Sequence, residues 1–445
     1  MICLPGVRFD WMTGVKGLAI IILIGVALRL AVAPLLTYDY DIYHWGVILE
    51  NIRTGNGLYG MAGYYYTPVW GYFLGAESIY LAPIESLDAF GYRYEEMLGI
   101  EAADAIGHSA TVTTTAFNIA MKVPLIIVDA VTAYLIFTLI RDLGGDDRKA
   151  CIGAAIWMLG PLVIYMSGIQ AMFDPINGML MILVVLLLIR GYRFLPGVLF
   201  SIAALLKFFP LFAIFVLLIY VVYKGRERGT APRDVLLMVL GAGIAAVVIY
   251  IPEILDGTFM DSLSFMLARA GNSDVWYILN IAIGACVALG GMICFSYMMW
   301  RKPGADLDKG FIICITGALL CAVCLSTTAQ YVLVVLPLLI VCAMAYDGRL
   351  KKAAIIVAVG GLFAAAASQF PGMLVGASVN LGLMDPATVV DWIYDYTEPI
   401  IGSESIFTIG TNLGNIFEYA GIVLALVIIL EGPLRRILFR RRAAS

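Results

Sequence analysis

FLPGVLFSIAALLKFFPLFAIFVLLIYVVYK, residues 194–224, is an apolar run of about thirty residues that follows Arg193, ends on Lys224 and carries Lys207 and Pro210 in its middle. A single helix crosses the ~30 Å hydrocarbon core in about 20 residues. Both ends are basic, and Lys and Arg concentrate in cytoplasmic loops. The chain is therefore expected to enter the membrane and return within this run. The break falls near Lys207–Pro210, because proline disfavours helical geometry at the residue before it. Such short, broken helices are tolerated only inside a protein bundle or beside a wet cavity. One long tilted helix with Lys207 buried is the alternative, and it would reverse every later loop.

The rest of the 445-residue chain supports the two-helix reading. It is 62% hydrophobic and 13% charged, with a mean hydropathy of +0.94. A soluble domain is about 45–50% apolar, so this chain cannot hide its apolar surface in a water-facing fold. The expected class is an all-α polytopic membrane protein of about 12 transmembrane helices. The apolar runs fall at about 17–36, 116–140, 151–168, 176–192, 194–206, 208–223, 234–252, 277–300, 310–327, 329–346, 352–370 and 413–432. With the N-terminus inside and strict alternation, 22 of the 28 basic residues and only 10 of the 32 acidic ones fall on the cytoplasmic side. Both termini are then cytoplasmic. An N-terminal apolar stretch ending Ala31-Val32-Ala33 resembles a secretory signal, but Pro34 after the apparent cut disfavours cleavage, and 1–36 reads as a retained first span.

On this map the polar sequence gathers outside. Residues 37–116 form a large first exoplasmic loop, 117–370 a helix bundle, 371–412 a second exoplasmic loop, and 413–445 the last span with a basic cytoplasmic tail. Loops this long are uncommon unless functional. Within the first, Pro68–Leu81 reads as an interfacial helix, because another crossing would break the charge map.

Net charge is −4, so no nucleic-acid partner is expected. The cysteines read as small buried hydrophobes: Cys321 and Cys324 have CxxC spacing but lie inside an apolar run.

The first loop opens with TYDYDIYHW (37–45). Asp39 and Asp41 lie on opposite faces if the segment is extended. If a helix starts here, Asp39 is an N-cap candidate, with His44 and Trp45 one turn beyond Asp41. A carboxylate here can act as a general base or bind a divalent metal. Lys122 and Asp129, two turns apart in one span, are too far from each other to pair and are expected to find partners on other helices. Arg29 lies below Asp39 and is expected to pair with it. SGIQAMFDP (167–175) offers Gln170 and Asp174, the latter also a helix-cap candidate before Pro175. Lys207 and Arg269, with Asn272 beside the latter, are cations near exoplasmic helix ends, suited to a phosphate. YYYTPVW (64–70) adds aromatic faces.

Together these segments resemble the GT-C superfamily of polyprenyl-phosphate-sugar-dependent membrane glycosyltransferases, in particular its mannosyltransferases. The resemblance rests on TYDYDIYHWGVILENIRTGNGLYG with YYYTPVWGYFL, then MKVPLIIVDAVTAYLIF, SGIQAMFDPINGML, AALLKFFPLFAIF and QYVLVVLPLLI, in that order over the first 340 residues. It implies an inverting transfer of a hexose, mannose favoured, from a polyprenyl-phosphate donor to a lipid, glycan or protein hydroxyl. Asp41, or Asp39, would be the base; Lys207 and Arg269 would hold the donor phosphate. His44, Tyr66, Gln170, Asp174, Tyr331 and Asn272 would contact substrate. A Mg or Mn ion on Asp39 and Asp41 is compatible with it. The expected location is a prokaryotic cytoplasmic membrane with the site facing outside. Two readings stand beside it: a multispan secondary transporter or lipid-linked-sugar flippase, and a lipid-linked phosphate or amino-sugar transferase.

Overall fold

A computed structural model describes residues 14–59, 64, 66–80, 91–93, 111–262, 275–301, 306–325, 328–382, 388, 400–402 and 404–442. The protein is an all-α polytopic membrane protein; its β structure among the described residues is one short antiparallel pair, Gly91–Arg93 with Thr111–Thr113, and an isolated bridge.

Every apolar run of the sequence contains a helix, but they are of two kinds. Among the described residues, seven helices are long and apolar enough to cross a membrane: Gly14–Val32, Thr115–Asp142, Phe209–Arg228, Ala231–Leu255, Ile278–Trp300, Leu350–Phe370 and Ile406–Glu431. A pair bent by 43°, Asp147–Met158 and Pro161–Gln170, is apolar enough when taken together to form a broken span or a re-entrant loop. The remaining runs form shorter helices, Asp174–Ile189, Phe194–Leu206, Leu307–Val323 and Leu336–Ala345. The expected twelve spans thus resolve into seven or eight of full length around short inner ones. Two of the short helices are covered along their length: every residue from Gly310 to Val323 and from Leu336 to Met344 is buried. Protein neighbours satisfy what lipid could not at their ends.

The run 194–224 breaks at the expected place. Helix Phe194–Leu206 stops at Lys207, whose backbone is extended (φ −149°, ψ 139°), and a 3-10 turn, Phe209–Ala213, starts the next helix. Pro68–Tyr80 is helical, as expected. The second polar loop is narrower than 371–412, because helix continues to Leu381 and resumes at Ile406.

Buried charges lock the first helix to its neighbours. Arg29 Nε donates to Asp129 Oδ2 (2.9 Å) and Ser167 Oγ (3.0 Å), and its Nη1 donates to the carbonyls of Gly25 and Met158. The expected Arg29–Asp39 pair is therefore replaced by Arg29–Asp129. Lys122 Nζ donates to the carbonyls of Ala33 and Leu36 (both 2.8 Å) and to Thr37 Oγ1 (2.7 Å). These bonds fix the segment that leads directly into helix Asp39–Arg53, which carries the acidic pair.

Candidate functional site

Helix Asp39–Arg53 begins one residue earlier than a capping Asp39 requires. Tyr38 is the N-cap, with no side-chain capping bond, and Asp39 is the first helical residue. Asp41 therefore points where periodicity alone could not place it, toward the turn Met166–Ala171. That turn is widened into a π turn, and Ala171 takes the left-handed conformation (φ 59°, ψ 39°). For a residue with a Cβ this costs free energy and persists only where the surroundings enforce it. Here the Ala171 carbonyl accepts from Trp45 Nε1 (3.2 Å), which ties the turn to the Asp41 helix.

Gln170 is the hub. Its Nε2 donates to Asp41 Oδ2 (3.0 Å) and to Gln330 Oε1 (3.2 Å). Its own Oε1 is buried and accepts no hydrogen bond. Burial pushes the Asp41 carboxyl up to about 6, with the Gln170 hydrogen bond and the Lys207 charge holding it back and Asp174 adding to the rise.

On the facing side, Lys207 Nζ lies 2.8 Å from Asp174 Oδ1 and 3.0 Å from Oδ2. It also lies 4.1 Å from the centre of the Tyr331 ring and 4.7 Å from that of Phe173. Asp174 is thus an ion-pair partner and no cap; Phe173 holds the N-cap position of that helix and Pro175 its first turn. The Lys207 charge is met within the protein, by a carboxylate and two ring faces. The aromatic wall continues through Phe173, stacked on Trp70 (4.6 Å) and edge-on to Tyr66 (5.2 Å), to Trp45 beside Tyr66 (5.6 Å). The segment bearing Tyr66 is anchored by the Tyr59 hydroxyl on its carbonyl (2.9 Å) and by the Thr67 hydroxyl on the Leu205 carbonyl.

The fold thus gathers Asp41, Tyr66, Gln170, Asp174, Lys207 and Tyr331 from five separate segments. His44 lies half-buried beside Trp45, ring centres 5.5 Å apart. Arg269 and Asn272 lie outside the described residues, as does the side chain of Asp39. Among the described residues no three His, Cys, Asp or Glu side chains come together in a metal-binding group. Sequence reasoning missed Gln330 and Phe173, and noted Trp45 and Trp70 only as aromatic neighbours in TYDYDIYHW and YYYTPVW. Gln330 carried a signal: it is a polar amide immediately ahead of the long apolar stretch 331–345.

Chemically the cluster offers a carboxyl with a near-neutral ionisation, two amides, a neutralised ion pair and several ring faces. That set can hydrogen-bond and stack against a hydroxyl-rich group.

Residues 104–302 match the family model described as GPI transamidase subunit PIG-U. No curated protein matches the chain. The match overturns the expected activity: it is to a transamidase subunit, so the chain is not read as a polyprenyl-phosphate-dependent glycosyltransferase, and the transporter or flippase alternative gains nothing from it. It covers somewhat less than half of the chain and includes Gln170, Asp174 and Lys207 but neither Asp41 nor Tyr331; over that stretch the chain is similar to a subunit of a membrane protein-processing complex.

Proposed function

We propose that this chain is a non-catalytic membrane subunit of a transamidase-type complex, and that its polar cluster holds the head of a GPI-type lipid for a catalytic partner. The observation that carries this reading is the match of residues 104–302, which supply the Gln170 turn and the Asp174–Lys207 pair. The geometry supports a holding role. Lys207 is already neutralised, Asp41 is hydrogen-bonded to an amide, and ring faces of Tyr66, Phe173 and Tyr331 surround them, as suits sugar rings and hydroxyls more than a free dianion. The distribution of basic residues supports an exoplasmic position for the cluster. Asp41 then accepts a ligand hydroxyl, and the unpaired Gln170 Oε1 accepts a second.

A photoreactive phenylalanine analogue at position 66, in the full chain within its membranes, tests the cluster. Crosslinking to an added GPI-type lipid, competed by the same lipid and not by phosphatidylinositol, is the expected result. Equal labelling by both lipids would overturn the assignment of the cluster to the glycan head.

A further inference from the structure

Helix Phe194–Leu206 runs from Arg193 to Lys207, 13 residues or ~20 Å at 1.5 Å per residue. Its Arg193 end is therefore at the opposite end of the helix from the polar cluster, and this end carries a second constellation. A cavity of about 490 Å³ opens between the turn Gly191–Leu195 and the start of helix Ala231–Leu255. Arg193, Arg228, Thr230, Arg233 and Asp234 line it.

Three observations point to an anion. Arg193 is only 5% exposed, and its Nε donates to Asp234 (3.2 Å) and its Nη1 to the carbonyls of Leu188 and Tyr192, yet its buried Nη2 donates to nothing. Thr230 is the N-cap of a 25-residue helix but makes no capping bond, and its buried Oγ1 is also without a partner. The N-terminus of a long helix favours negative charge. Finally, Arg228 and Arg233 are exposed at the rim, so three arginines face one carboxylate and the lining is net positive. Gly229, left-handed at φ 74°, ends the preceding helix and lets Arg228 and Thr230 turn to the same opening.

The surroundings identify the source of the anion. Tyr192, Phe194 and Leu195, 43–56% exposed, line the same cavity, and Leu236 and Val239 are exposed on the adjoining helix. A basic cup bordered by exposed apolar side chains at a helix end matches a phosphate whose own tail lies in the bilayer. We propose that this cavity binds the phosphate headgroup of an anionic phospholipid, with Arg193 Nη2 and Thr230 Oγ1 as its inner donors and Arg228 and Arg233 as its rim.

The test uses the purified full chain in a neutral detergent, with native mass spectrometry of retained lipid and a thermal melt. The probes are phosphatidylglycerol, phosphatidylcholine and inorganic phosphate. Phosphatidylglycerol should be retained and should raise Tm, phosphatidylcholine should not, and inorganic phosphate at the same concentration should leave Tm unchanged. Arg228→Gln with Arg233→Gln, both exposed and so compatible with folding, should cut phosphatidylglycerol retention roughly tenfold or more. Arg148→Gln with Lys149→Gln, an equal loss of exposed charge elsewhere, should not. Thr230→Val provides an independent variant that should weaken the same retention. Equal retention of both lipids, an unchanged Arg228/Arg233 variant, or a Tm rise with phosphate and none with phosphatidylglycerol would each overturn the proposal.

Discussion

Lys207 and Asp174, 33 residues apart in sequence, form a buried ion pair of 2.8 Å at the broken ends of two short helices. Asp174 is fully buried and Lys207 nearly so. The pair closes the point where neither helix can continue, and it holds Lys207 between the rings of Phe173 and Tyr331.

Removing one partner should be costlier than removing both. Lys207→Met leaves a buried carboxylate alone and should destabilise the protein by roughly 3–5 kcal/mol. Lys207→Met with Asp174→Leu should recover most of that loss. Thermal melts of both variants in detergent measure the difference.

Arg29 uses its fork to reach Asp129, Ser167 and two carbonyls at once. Lysine carries its three donors on one nitrogen and cannot span acceptors spread across the width of a guanidinium. Arg29→Lys should therefore cost about 1–3 kcal/mol, seen as a lower Tm, whereas Ser167→Ala should cost about 0.6 kcal/mol.

Gly178 faces the 3-10 turn that carries Gln330 and Tyr331: a Cβ there would meet the Leu333 carbonyl oxygen at 2.4 Å. Backbone on both sides leaves little room to yield. Gly178→Ala should cost roughly 1–3 kcal/mol and displace Gln330 from Gln170. Tm reads the first effect, and crosslinking at position 66 reads the second.

Asp41 sets a pH dependence. Its folded value, about 6, lies above the ordinary 3.8. The folded chain therefore holds this proton more tightly than the unfolded chain, and stability falls as pH rises from about 4 to about 6. Above that window the loss is constant. Asp41→Asn should remove this slope, while Gln170→Ala, which deletes the bond favouring the ionised form, should extend the slope to higher pH. Melts between pH 4 and 8 check both.

Much of this architecture was legible in the sequence. Charge spacing located the break at Lys207–Pro210 because helix length and basic termini constrain one another. The partners of buried charges were less legible. Arg29 was matched to Asp39 by its position near one helix end, but its partner, Asp129, is set by how the first helix rotates against its neighbour. Asp174 read as a cap because Pro175 follows it; its pairing with Lys207 depends on where two broken helices end. The activity was misread for a chemical reason. An acidic residue, aromatic faces and a lysine beside a membrane are what any protein needs to hold a polar lipid head, and similar folds carry different functions.

A chain that works as a subunit should be recovered with its partners. The most direct measurement is the composition and mass of the assembly obtained when the tagged full chain is extracted from its own membranes in a mild detergent. The expected result is a stoichiometric assembly with other chains, well above the 48.3 kDa of this one, and unchanged in composition by Asp41→Asn. Recovery of this chain by itself, folded and without partners, would contradict it.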